Sequence, residues 1–233
     1  MANVTKFERI QEHAMWTKSG PVVSHLPDED IATLEEQAVA TIGDPTPLGL
    51  WGFATGTWMV GTVIGGIFPT SAFTAVVPSL LIFAGIAQFI AGLFAYRRAN
   101  SLAATAFCCF GAFNTVAAFT FLLQAMQVLP TSGDPRVLLG FFLESFGFIA
   151  LALTIAALRT NTALVAVLAL LCVGYVLAGI PDLANNGGDG FGIVGNIGGW
   201  FLVASALCAY YAGMALAVNS AWRRTVLPIG GQP

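Results

Sequence analysis

Along most of this chain the apolar residues come in long unbroken runs, not in alternation with polar ones. Six such runs cover residues 48–68, 76–96, 102–126, 137–158, 162–180 and 197–218. A helix needs about 20 mostly apolar residues to cross a bilayer, and each run is close to that length. The strands of a membrane barrel would alternate along the chain, so a barrel is excluded. The runs are punctuated by polar or helix-breaking residues. Pro69-Thr70-Ser71 closes the first, Arg97-Arg98 the second, and Pro130 follows the third. Arg159 closes the fourth, Pro181-Asp182 the fifth, and the glycine-rich residues 185–190 lead to the sixth. The pattern predicts an all-α membrane protein with six transmembrane helices per protomer.

The first 43 residues differ. They hold no apolar run long enough for the core of a signal peptide, so a retained tail is expected. Within it, Pro27-Asp28-Glu29-Asp30 precedes Ile31, Leu34, Ala38 and Ile42, an apolar stripe at helical spacing behind acidic residues. This reads as a short amphipathic helix, resting on the membrane face or meeting a partner. The organisation expected is an acidic tail (1–43), a transport domain (44–222) and a short C-terminal tail (223–233).

Composition sharpens this picture. Of the 233 residues, 57% are hydrophobic and 9% charged, with a mean hydropathy of +0.80, whereas soluble domains carry about 25% charged residues. The net charge of −3 and the absence of a basic stripe argue against a nucleic-acid partner. Orientation follows from Lys and Arg. Lys6, Arg9 and Lys18, then Arg97, Arg98, Arg159, Arg223 and Arg224 fall on one side, and Arg136 alone on the other. That bias places both termini in the cytoplasm, with the chain in the cytoplasmic (plasma) membrane.

Enzyme chemistry has no foothold. His13 and His25 both lie in the tail, and neither HExxH, GxSxG nor a phosphate loop occurs. Cys108, Cys109, Cys172 and Cys208 sit inside apolar runs without metal-ligand spacing and read as small core residues. No cofactor or metal is expected. Polar side chains within lipid are costly, so Thr55, Thr57, Gln88, Asn114, Gln124, Glu144 and Ser145 are expected to face the bundle or a wet path. Glu144 is the sole ionisable residue well inside a span. It reads as a proton-handling group, as a vestibule residue, or as a neutral acid hydrogen-bonded between helices. Small-residue faces run along Gly61, Gly65 and Gly66, and along Ala84-Gly85, Gln88, Ala91-Gly92 and Ala95. They fit close helix packing, within one protomer or between protomers.

Three motifs resemble one known family, the acetate uptake transporters, also called succinate–acetate permeases. The first is Asp44-Pro45-Thr46-Pro47-Leu48-Gly49-Leu50 with Trp51-Gly52-Phe53, similar to that family's N-P-A-P-L-G-L motif. The second is Gly85-Ile86-Ala87-Gln88-Phe89-Ile90-Ala91-Gly92-Leu93, continuing through Tyr96-Arg97-Arg98 to Thr105-Ala106-Phe107. The third is Arg224-Thr225-Val226-Leu227-Pro228-Ile229-Gly230. The resemblance covers about residues 44–231. It implies a ring-shaped homohexamer with a path through each protomer for acetate and related short carboxylates, often succinate, as an anion channel or a proton symporter. It further implies a hydrophobic constriction at Phe53, Phe110 and Leu171, with Phe110 where the family carries tyrosine and Asp44 where it carries asparagine.

The residues can also be read apart from that resemblance, where packed helix faces are the preferred account and a path the sharper one. Phe53 and Thr57, Phe110 and Asn114, and Leu171 and Tyr175 are i,i+4 pairs, each placing an apolar group one turn from a polar one on a single helix face. Dry and wet stations in that order suit a small amphipathic anion, and packed helix faces are the blander account. Asp44, Thr57, Gln88, Asn114, Glu144 and Tyr175 are the substrate-path candidates. Two other functions stay open at this point: a pore for small neutral solutes such as urea or amides, and a non-transporting membrane sensor or scaffold.

Overall fold

The computed structural model describes residues 42–184 and 190–231. The amphipathic helix expected in the tail, and most of the glycine-rich 185–190 loop, lie outside the described residues. From Asp44 onward the chain forms one compact unit. Its six helical segments are α1 (Thr46–Ile64), α2 (Thr70–Arg97), α3 (Ser101–Ala125), α4 (Asp134–Ala157), α5 (Thr162–Leu183) and α6 (Gly192–Trp222). Among the described residues no strand forms, and extended pairing is confined to one isolated bridge between Asn161 and Gly231.

Helices α2 to α6 are each long and apolar enough to cross a membrane. Helix α1 has 19 residues, about 28 Å at 1.5 Å per residue, close to the ~30 Å of hydrocarbon. Glycines and threonines dilute its apolar content because it lies at the centre of the packing. The outer surface is the reverse of a soluble protein's: Phe148 is 72% exposed and Leu138 69%, while Gln88 and Ser205 are fully buried.

The helices end where local chemistry stops them. After α1 the Gly66 N–H donates to Val63 O and the Ile67 N–H to Thr62 O, with Gly66 at φ +80°. This is a Schellman cap, and it ends the helix four residues before the sequence pattern places the stop. Asn100 and Asn161 cap α3 and α5, each side-chain oxygen accepting from a backbone N–H three residues on. Helix α2 begins at Thr70, ahead of the expected 76, and passes Pro78 into a π-helical stretch, Leu80–Ala87. Helix α5 runs through Pro181, expected to close it, as far as Leu183.

Antiparallel neighbours follow the chain for α4, α5 and α6, and α1 closes against α6 on one side and α2 on the other. Helices α2 and α3 form the remaining pair, and α3 meets α4 only sparsely. The small-residue faces are used inside the protomer. A Cβ on Gly61 would lie 3.0 Å from the Gly199 carbonyl of α6, and one on Gly85 2.5 Å from Thr115 Oγ1 of α3. One end of the bundle, called lower here, holds the start of α1, the α2–α3 and α4–α5 turns and the C-terminus. The upper end holds the α1–α2 and α3–α4 connections and the start of α6.

The C-terminal residues fold back onto the lower end. Arg223, at φ 51°, ends α6, and Asn219 Oδ1 accepts from the N–H groups of Val226 and Leu227. Thr162 and Ala163 N–H donate to the carbonyls of Gly230 and Ile229. The third motif is thus a strap across the first turn of α5, satisfying donors a helix start leaves open.

Candidate functional site

The candidate residues lie in order along the bundle axis, from a closed apolar layer, the expected neck, to a charged roof. At the neck, Phe53 of α1, Phe110 of α3 and Leu171 of α5 belong to one buried apolar cluster, at 3%, 2% and 0% exposure. The Phe53 and Phe110 rings are 5.8 Å apart. Phe110 also lies 6.1 Å from Phe146 and 6.3 Å from Tyr175, ring separations typical of favourable aromatic pairs.

One helical turn above, Thr57, Asn114 and Tyr175 line a cavity of about 80 Å³. Room for one water needs only about 10–15 Å³ on this measure, so a small solute fits. The remaining wall is mostly apolar: Val60, Phe113, Phe121, Phe142, Leu143 and Leu202 among others. Phe113 is fixed between Phe142, stacked at 5.1 Å, and Tyr175 at 5.0 Å. Asn114 is held from behind, its Nδ2 donating to Ala84 O and to Gln88 Oε1, each at 3.2 Å. Gln88 is fully buried, and its Nε2 has no hydrogen-bond partner among the described residues. The π-helical stretch brings this part of α2 against α1, where a Cβ on Gly52 would sit 2.8 Å from Phe83 O.

The other candidates stand apart from this cavity. Asp44, exposed at the lower end, accepts from the Thr46 N–H at 3.0 Å and from its hydroxyl at 2.6 Å, which fixes the first turn of α1. Glu144 lines neither the cavity nor the chamber above it. Its Oε1 faces α5, 2.7 Å from where a Cβ on Gly179 would be, with no partner among the described residues.

Above the cavity lies a wider chamber of about 330 Å³. Phe73, Phe121, Leu139, Asp182 and Phe191 line both spaces. Phe73 stacks on Phe121 at 4.2 Å and meets Phe191 edge-on at 6.2 Å, an aromatic partition between chamber and cavity. Arg136 of α4 joins Asp182 of α5 here, Nε donating to Oδ1 at 2.8 Å. Sequence reasoning used Arg136 only for orientation and Asp182 only as a helix stop. A signal was present, since the two are opposite charges at the same end of successive antiparallel helices.

Six helices around a narrow, aromatic-walled path define a multi-pass membrane protein of the channel or transporter class. The profile of the GPR1/FUN34/yaaH family matches residues 30–229, and the chain belongs to that family. It is 30% identical over 190 residues to the Escherichia coli (strain K12) succinate-acetate/proton symporter SatP, covering 81% of this chain and 96% of that one. It is 27% identical over 190 residues to the Saccharomyces cerevisiae ammonia transport outward protein 2, covering 78% of this chain and 65% of that one. Among solved structures it is similar to the bacterial acetate channel SatP, with TM-score 0.72 and 28% identity over 82% of this chain and all of the other.

Proposed function

We propose that this protein passes acetate and related short carboxylates, succinate among them, along the path inside each protomer. The observation that carries this reading is the pairing of a carbon-only neck with hydroxyl and amide groups one turn above it. A methyl group suits the first and a carboxylate the second. Crossing hydrocarbon as a bare carboxylate costs several kcal/mol or more. The neutral acid, with a pKa of roughly 4–5, is under about 1% of the total at pH 7. A protein path therefore matters most near neutrality, where the acid cannot cross unaided.

The same reading places the chain in the cytoplasmic membrane with both termini in the cytoplasm, supported by five arginines at the lower end against Arg136 at the upper. A ring-shaped homohexamer accompanies it on the strength of the motif resemblance. Native mass spectrometry in mild detergent checks this, with six protomer masses expected. The test of function is radiolabelled acetate uptake into proteoliposomes, with urea and ammonia as competing cargo. The relative named for ammonia transport gives a neutral-solute path its own support, and faster passage of urea or ammonia than of acetate would favour it.

A further inference from the structure

The charged roof of the path holds more than a helix-to-helix ion pair. Arg136 and Asp182 are 11% and 9% exposed at their side chains, and a pair so far from water is costly to maintain without further return. Arg136 also donates from Nη2 to the Gly190 carbonyl at 2.8 Å. That carbonyl precedes Phe191, the ring that lines both the chamber and the inner cavity. Phe191 seats over Gly195, where a Cβ would collide with its own Cβ. The arginine therefore holds the partition in place from the chamber side. Around it in the chamber stand Thr70, Ser71, Gln124 and Thr131, whose hydroxyl and amide groups can donate to an anion. Among the described residues Arg136 is the one Lys or Arg at this end, with Asp182 and the exposed Asp134 as its acidic neighbours.

We propose that Arg136 is the upper recognition site for the carboxylate and that its occupation loosens the Phe191 partition. An arriving acid takes Nη2 from the Gly190 carbonyl, since a charge-assisted bond to a carboxylate is stronger than one to a neutral carbonyl. Asp182 keeps Nε, and Nη2, once it leaves the Gly190 carbonyl, takes the incoming carboxylate. Release of Gly190 lets Phe191 move from between chamber and cavity, and the acid follows its carboxylate inward. This rests on the carboxylate-transport reading of the path.

The test is uptake by the double variant Arg136→Gln with Asp182→Asn, which keeps a polar pair of similar size without either charge. Acetate KM is expected to rise about tenfold, while passage of neutral acetamide, no longer checked by a held Phe191, is expected to rise beyond a margin of about twofold. An acetate KM within that same margin overturns the proposal. Should the double variant lose both solutes, the path has collapsed, and labelling of the unaltered protein decides. Phenylglyoxal modification, mapped by mass spectrometry, is expected to slow at Arg136 with acetate and not with acetamide, while Arg159 labelling stays constant. Equal labelling of Arg136 under both conditions, or none in either, overturns it. If the unaltered protein takes up no acetate, the transport reading fails, and the protection assay still reports whether Arg136 binds a carboxylate.

Discussion

At the neck, Phe53, Phe110 and Leu171 offer the path only carbon atoms, and the nearest polar groups lie a full turn away. Two turns above Tyr175 on α5, Asp182 meets Arg136 in a charged contact over the partition of Phe73, Phe121 and Phe191. On the proposed reading the lower region selects by width and dryness, the upper by charge. Neither suffices alone: a dry neck passes any slim solute, and a charged roof attracts any anion. Between them lies a cavity of about 80 Å³, which on the same reading would set the length of acid that fits between roof and neck.

The largest effect is expected at the neck. Leu171→Ala and Phe53→Ala widen it, and the ratio of succinate to acetate initial rates should rise about tenfold. Loss of a buried leucine also costs about 2–5 kcal/mol of stability, so thermal unfolding is followed alongside. An unchanged ratio would move the width filter elsewhere and erase the contrast between the two regions.

A smaller effect is expected one turn up. Asn114→Leu removes both hydrogen bonds of the amide and leaves Gln88 Oε1 without its donor. A buried polar group left unpaired costs about 1–3 kcal/mol, and a loss of that size is expected in thermal unfolding. Acetate KM should rise several-fold while the succinate-to-acetate ratio holds, which separates affinity from width.

The smallest effect is expected at Glu144, which touches neither region. Glu144→Gln should leave the normalised pH profile of acetate uptake superimposable on that of the unaltered protein from about pH 5 to 8. A displaced profile would bring this carboxyl into the path and add a third station to the comparison.

Much of this layout is legible in the sequence, for identifiable reasons. Long apolar runs announce their helices because nothing else satisfies a backbone in lipid. The i,i+4 pairs that set Thr57, Asn114 and Tyr175 above the neck positions follow from helix geometry alone. What stayed hidden depends on partners distant in the chain. Arg136 and Asp182 are 46 residues apart, and no local pattern joins them. The role of Gly190 in holding Phe191 depends on a side chain from α4. The π-helical stretch of α2 leaves no mark in hydropathy, and α1 ends early because Gly65-Gly66 supports a cap that a run of apolar residues conceals. The small-residue faces were visible, but their partners on α3 and α6 were not.

The central claim is that this path carries short carboxylates and sorts them by charge and width together. Its most direct measurement is initial uptake of radiolabelled acetate into proteoliposomes of the unaltered protein, set against acetamide and urea, with and without an inward proton gradient. Acetate is expected to enter severalfold faster than either neutral solute at neutral pH. Accumulation above equilibrium under the gradient indicates coupling to protons, and simple equilibration indicates a channel. Acetate uptake no faster than in empty liposomes, or slower than that of acetamide, would contradict the account.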